Sequence, residues 1–306
     1  MARRYLPWLA LVAVYILWGS TYSAIRVGVE TIPPYLMIGV RYIIAGVLLY
    51  GIQYAIASPK PKLPGRKELL RIAVTGILLL VLGNGLLSFA ETRVPSSIAA
   101  LLVATMPIFM LVLEALRTRT MLSSSSIAGL IIGSAGVVML VGEQSGHANA
   151  LYAGLILFGS FAWALGTIFA RGSAHHPLTA PLEMTFGGIV AVGVGLALGE
   201  ANHFVIAQVS AQSLYGMLWL ITGGAMVGYT AYAFIVRTLP APVVATYAYV
   251  NPVVAVILGV LLLREPVTWN VVLGGLAVVA SVVVILVGNR RADENLCEEE
   301  TQGAAA

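Results

Sequence analysis

A chain of 306 residues with 59% hydrophobic and only 10% charged side chains is too poor in charge for a soluble domain, which carries about 25%. The mean hydropathy of +0.93 agrees. The basic residues sit between apolar runs, so the net charge of +4 reads as a topology signal and not as a nucleic-acid footprint. The lone cysteine, Cys297, excludes an internal disulfide.

In chain order, Met1-Ala2-Arg3-Arg4 carries the charge of a signal peptide. The apolar run behind it is too long for one and ends at no small-x-small cleavage site. It is therefore expected as a retained first span over 6–27. Further spans follow at 35–57, 71–90, 96–116, 123–142, 150–170, 180–199, 213–236, 241–262 and 268–288, each near the ~20 residues that a membrane crossing needs. Turn and charge signals separate them, among them Ile32-Pro33-Pro34, Ser58 to Arg66, Arg93-Val94-Pro95, Leu239 to Pro242 and Arg264-Glu265-Pro266. Residues 291–306 are acidic and rich in small side chains, and are expected as a disordered cytoplasmic tail.

Counting Lys and Arg on alternate sides tests the span assignment. One side receives 13 of the 17, and the other receives only Arg26, Arg93 and Arg264, with Arg41 inside the second span. That split predicts ten spans with both termini in the cytoplasm. The chain also matches itself at a shift of 145: Trp18 on Trp163, Arg26 on Arg171, Gly83 on Gly228, Pro95 on Pro240, Pro107 on Pro252 and Gly129 on Gly274. Residues 1–145 and 146–290 are thus two copies of a five-span unit. Five is odd, so the second copy is inverted relative to the first, as in many transporters. The expected fold is an all-α integral membrane protein of ten transmembrane helices in two inverted-topology five-helix repeats.

Trp18-Gly19-Ser20-Thr21-Tyr22-Ser23 resembles the W-G-s/t signature of the EamA branch of the drug/metabolite transporter superfamily. Leu262 to Pro266 and the glycine pair Gly274-Gly275 resemble its repeat ends. The resemblance covers residues 6–290 and is nearest in character to bacterial aromatic amino-acid exporters of the YddG type. It implies a central cavity between the halves, export of small metabolites and residence in the bacterial cytoplasmic membrane. It does not fix the substrate.

Polar side chains inside spans are expected to face a cavity or another helix. Asn84, Ser88, Glu91 and Thr92 fall on one face of the third span, at i, i+4, i+7 and i+8. They line a substrate path or bond to neighbouring helices. Trp163, Tyr232, Tyr247 and Tyr249 lie deep enough to stack on a substrate or receive a cation on a ring face. Trp163, Thr167 and Arg171 share one face. Pro252, with Asn251 before it, and its repeat mate Pro107 are kink sites that serve packing or gating. Arg41 and Glu91 are the candidate charge sites: Arg41 snorkels, pairs with Glu91 or Glu30, or meets a substrate carboxylate. Glu114 and Glu183 are expected to pair with basic loops. Gly129, Gly133, Gly136, Gly274 and Gly275 read as close-packing positions.

No catalytic residue, metal site or cofactor is expected. The only Asp is Asp293, and all four His lie in loops or at span ends. A Walker A loop is missing. The expected function is a secondary transporter that exports amino acids, aromatic or hydrophobic, or similar small metabolites by alternating access. With no acid at the midplane it would act by facilitated diffusion. The alternative is a proton-coupled multidrug or organic-cation exporter. The expected partners are the small-molecule substrate and the lipid bilayer, without nucleic acid; the oligomeric state stays open, a monomer included.

Overall fold

The computed structural model describes residues 2–119, 121–142, 147–170, 176–202, 204–239, 243 and 246–303. Among these the secondary structure is entirely helical. Helix α1 spans Ala2–Gly28 and α2 Pro34–Ile56. Helix α3, Arg66–Gly76, runs through a wide-turn π segment, Ile77–Gly85, into α4, Leu86–Ala90. Next come α5, Ser96–Val103, α6, Met106–Thr118, and α7, Ser124–Gly142. Helices α8, His147–Ala170, and α9, Thr179–Ala197, begin the second half. Helix α10, Ala211–Trp219, continues through a second π segment, Leu220–Gly228, into α11, Tyr229–Thr238. Helices α12, Tyr247–Leu263, and α13, Trp269–Gly303, complete the chain.

Seven helices among the described residues are long and apolar enough to cross a membrane: Tyr5–Gly28, Pro34–Ile56, Arg66–Ala90, Ser96–Thr118, Ser124–Gly142, Ala150–Ala170 and Thr179–Ala197. Val250–Leu263 and Trp269–Ile285 are shorter apolar helices. Crossing length is therefore established for seven of the ten expected spans, and the eighth is the helical rod over 211–238.

Some boundaries differ from expectation for physical reasons. The third span starts at Arg66 instead of 71, because Arg66-Lys67-Glu68 can complete a helical turn with its charges outside the hydrocarbon. The fourth is broken at Ala104-Thr105, with Pro107 in the first turn of the helix that resumes. There a missing N–H breaks no bond. The ninth starts at Tyr247; residues 240–242 and 244–245, Pro240 included, lie outside the described residues. The last helix runs on to Gly303, past the expected span end at 288.

The offset of 145 recurs in the helix starts. Pro34 and Thr179, Arg66 and Ala211, and Ser124 and Trp269 each begin a helix, and each pair is 145 residues apart. The two π segments fall within two residues of the same register. Packing exchanges partners between the halves. Helix α1 packs on α10, α11, α12 and the second π segment, whereas α8 packs on α3, α4, α6 and the first. The second helices of the halves, α2 and α9, pack on each other, as do the last, α7 and α13.

Small residues set these contacts, since close approach of backbones drives helix association in lipid. A Cβ added at Gly39 would meet Val192 N at 2.7 Å and Gly188 O at 2.8 Å. One at Gly136 would meet Gly274 O at 2.7 Å. Gly275, by contrast, faces Leu101 of α5. Large apolar side chains such as Val47, Leu48, Ile131 and Val138 point outward, while Met37, Ile38 and Leu102 are fully buried. Tyr5, Trp8, Tyr54, Trp219 and Trp269 are exposed near helix ends, as an interfacial belt requires. Tyr152 departs from that pattern: its ring packs 5.5 Å from Phe89.

Candidate functional site

Two clusters of polar and aromatic side chains stand out, one built within the first half and one across the contact between the halves. The first is built on the face of α3 and α4 that carries Asn84, Ser88 and Glu91. Arg41 of α2 is buried, at 4% exposure. Its Nη2 donates to Tyr42 Oη at 2.9 Å and to Asn84 Oδ1 at 3.3 Å. Arg41 thus does not snorkel; it turns inward against Asn84. Glu91 has no exposed surface, and neither carboxylate oxygen has a hydrogen-bond partner among the described residues. Arg26 of α1 reaches this point, but its Nη1 donates to the Glu91 main-chain carbonyl. Arg26, Arg41 and Glu265 are the charges that act on the Glu91 carboxyl. Ser88 Oγ and Arg41 Nε are likewise buried and unpartnered. Thr92, placed on the same stripe by spacing, uses its hydroxyl on Phe89 O of its own helix at 2.7 Å.

Glu265 is already engaged. It accepts from Ser96 N at 2.6 Å, Ser97 N at 2.9 Å and Ser96 Oγ at 2.8 Å, so it caps α5. Glu200 does the same for α2, accepting from Leu36 N at 2.9 Å and Tyr35 N at 3.2 Å. In both cases a loop carboxylate from the second half holds the N-terminus of a helix in the first.

The second cluster is aromatic. Trp18 of α1 lies 4.9 Å from Tyr232 of α11 and 5.4 Å from Tyr247 of α12, and the two tyrosine rings stand edge to face at 5.6 Å. Tyr232 and Tyr247 also share a side-chain hydrogen bond. Trp18 Nε1 donates to Gly224 O at 3.2 Å, which fixes the indole against the second π segment. Tyr15 hydrogen-bonds Thr246 at the start of α12. Tyr22, one turn beyond Trp18, lies within electrostatic reach of both Tyr247 and Glu91 and so links the clusters.

The expected substrate residues therefore divide. Asn84 and Ser88 belong to the charged cluster, and Tyr232 and Tyr247 to the aromatic one. Trp163 lies against Gly83, where an added Cβ would meet its Cε3 at 2.8 Å. It makes no ring contact with Tyr232 or Tyr247 among the described residues. Thr167 donates to Trp163 O at 2.9 Å. Arg171 and the Tyr249 side chain lie outside the described residues. Glu114 pairs with Arg117 one turn away. Among the described residues the charge acting on Glu183 is that of Glu68.

Pro252 sits inside α12, which runs on through it. Asn251 is buried, and its Oδ1 is unpartnered. A Cβ at Gly19 would lie 3.1 Å from Asn251 O, so α1 approaches α12 closely beside Pro252. Trp18, Tyr22 and Arg26 were missed as site residues by sequence reasoning, although their spacing of i, i+4, i+8 is that of Trp163, Thr167 and Arg171. The shift of 145 carries one face onto the other.

The family model for the EamA-like transporter family matches the chain twice, over residues 6–142 and 150–287. The chain is 40% identical over 258 residues to YedA, an uncharacterized inner membrane transporter of Escherichia coli (strain K12), covering 82% of this chain and 80% of that one. It is 24% identical over 302 residues to a Salmonella typhimurium (strain LT2) protein named as a "probable amino-acid metabolite efflux pump", covering 92% and 95%. A protein of known crystal structure superposes with a TM-score of 0.62 at 17% identity, over 93% of this chain and 98% of that one, which establishes likeness of fold.

Proposed function

Because the chain belongs to the EamA-like transporter family, we propose that it is a secondary transporter of the bacterial inner membrane. It exports amino acids, aromatic or otherwise hydrophobic, or similar small metabolites. Ten spans form two inverted halves, with both termini in the cytoplasm, as the 13-to-3 division of basic residues favours. The observation that carries this reading is the presence of a buried charged cluster together with an aromatic cluster that joins the halves. An amphipathic solute offers one end to each. Asn84, Ser88, Trp163, Tyr232, Tyr247 and Tyr249 are its binding residues in this reading. The break before Pro107 and the missing N–H of Pro252 inside α12 weaken those helices at points about which one set of helices rocks against the other, the motion alternating access needs. Movement down the metabolite gradient requires no bound ion and no cofactor.

One observation favours a second reading. The Trp18, Tyr232 and Tyr247 rings, together with a buried carboxyl at Glu91 that has no partner among the described residues, would also suit an organic cation. Cells that overproduce the protein decide between the two. Resistance to toxic analogues of hydrophobic amino acids, with unchanged sensitivity to cationic dyes, is the expected result. Resistance to the dyes alone overturns the amino-acid reading. In proteoliposomes, efflux of labelled amino acid is expected to persist after the pH gradient is collapsed; efflux that stops with the gradient overturns facilitated diffusion.

A further inference from the structure

Buried polar atoms in folded proteins nearly always have a partner, and each exception asks for a reason. The charged cluster holds several exceptions of opposite character. Arg41 Nε is a donor without an acceptor, and the two Glu91 oxygens are acceptors without a donor. Ser88 Oγ is unpartnered on the same helix face as Glu91. All three residues are at most 4% exposed. Arg41 and Glu91 feel each other's charge, yet no ion pair closes between them among the described residues. Arg26, the guanidinium that could neutralise Glu91 directly, is held on its main-chain carbonyl instead. Leaving a buried charge unpaired is far more destabilising than pairing it. A cation and an anion kept apart in one buried place therefore form an arrangement that an added group can complete.

We infer that Arg41 and Glu91 form a head-group site for a zwitterionic α-amino acid, with Arg41 receiving the carboxylate and Glu91 the ammonium. This rests on the transporter reading above and deepens it. The charge balance narrows the ligand. With both carboxyls ionised, Arg26, Arg41, Glu91 and Glu265 sum to zero formal charge, and a zwitterion leaves that sum unchanged. An amine without a carboxylate would pair with Glu91 and leave Arg41 unmatched. An acid without an amine would pair with Arg41 and set a second anion beside Glu91. Only a ligand bearing both groups completes both ends. Arg41 is pre-aimed by Asn84 and Tyr42, so it needs little reordering on binding. Tyr22, one turn beyond Trp18 on α1, is within electrostatic reach of both Glu91 and Tyr247, and on this inference an apolar side chain of the same ligand is directed toward the aromatic cluster.

The test uses the purified full chain and three probes of one skeleton: phenylalanine, phenethylamine and 3-phenylpropionate. Thermal stabilisation of the unmodified protein is read first, so the result does not depend on any variant folding. Phenylalanine is expected to stabilise it at least about tenfold more potently than either partial analogue, the scale of one hydrogen bond to a charged group. Equal potency of all three overturns the inference. In proteoliposomes, Glu91→Gln is expected to lower phenylalanine efflux about tenfold or more, leaving 3-phenylpropionate the better substrate. Arg41→Gln is expected to reverse that preference, in favour of phenethylamine. Wild-type phenylalanine efflux in both variants overturns the assignment while sparing the transporter reading. Failure of every amino acid to move through the unmodified protein, with other solutes exported, sinks the amino-acid reading itself.

Discussion

Trp18 and Trp163 stand 145 residues apart in sequence, and each lies against the wide-turn segment of the other half: Trp18 on Gly224 and Gly228, Trp163 on Gly83. A Cβ added at Gly228 would meet Trp18 Nε1 at 2.7 Å, and one at Gly83 would meet Trp163 Cε3 at 2.8 Å. The pair thus marks a symmetric exchange in which the first helix of each repeat closes against the third of its mate. Gly228→Val and Gly83→Val must each displace an indole packed between helices. Each is expected to destabilise the protein by roughly 1–3 kcal/mol, read as a lower unfolding temperature in detergent. A Gly51→Val control, where nothing lies within 4 Å of the added Cβ, should leave that temperature unchanged.

The interface of α2 with α9 has even less room. Gly39 and Gly188 place their backbones against each other, each Cβ position 2.8 Å from the other's carbonyl oxygen. Gly39→Leu cannot be accommodated by a rotamer change, because backbone atoms block it. The expected outcome is loss of folded protein from membranes, measured as the monodisperse fraction after extraction. A normal yield of stable Gly39→Leu protein would show that this interface is not built as described.

Glu265 should report on helix capping without touching the aromatic cluster. Glu265→Ala strips the acceptor from Ser96 and Ser97 at the start of α5. A cost of about 1 kcal/mol is expected in an unfolding titration. Glu200→Ala, which uncaps α2, should cost a similar amount. The two sites share no partner, so their effects should add in the double variant to within about 0.5 kcal/mol.

The aromatic cluster predicts a selectivity change and not a general loss. Ring pairing contributes about 0.5–1.5 kcal/mol beyond area burial. Trp18→Ala should therefore weaken apparent affinity for aromatic amino acids about threefold to tenfold more than for aliphatic ones. Tyr247→Phe keeps the ring contacts and should stay close to the parent. Competition between labelled phenylalanine and leucine in vesicles separates these outcomes.

Pro252 tests the gate. Pro252→Ala restores an N–H inside α12 and should stiffen the helix beside Gly19. If rocking about this position limits the rate, maximal efflux falls while half-saturating substrate concentration changes little. An unaltered maximal rate assigns the proline to packing alone.

Helix placement was legible because lipid imposes a length, and each apolar run declares it. The offset of 145 was legible because Trp18, Gly83 and Pro107 meet residues of the same type in the second half. The wide-turn segments were not legible. An extra residue per turn leaves no periodic mark, and Gly83, Gly85, Gly223, Gly224 and Gly228 read equally well as ordinary close-packing glycines. Nor was the exchange of partners, since repeat identity says nothing about which copy a face meets. The spacing that marks Trp163, Thr167 and Arg171 marks Trp18, Tyr22 and Arg26 equally, and it is Trp18 that joins Tyr232 and Tyr247. Arg41 and Glu91 were recognised as charges worth notice. That both are buried with polar atoms left unpartnered emerges only from the structure.

The exchange of helices has a consequence for synthesis. Helix α1 leaves the ribosome first, but α10, α11 and α12, against which it packs, are among the last segments made. Trp18 and Tyr15 thus enter the bilayer before Gly224 and Thr246 have been translated. The first half cannot finish as a unit and then serve as a template. It waits, inserted but unsealed, until its mate arrives, and the interior between the clusters is completed only as the C-terminal half docks.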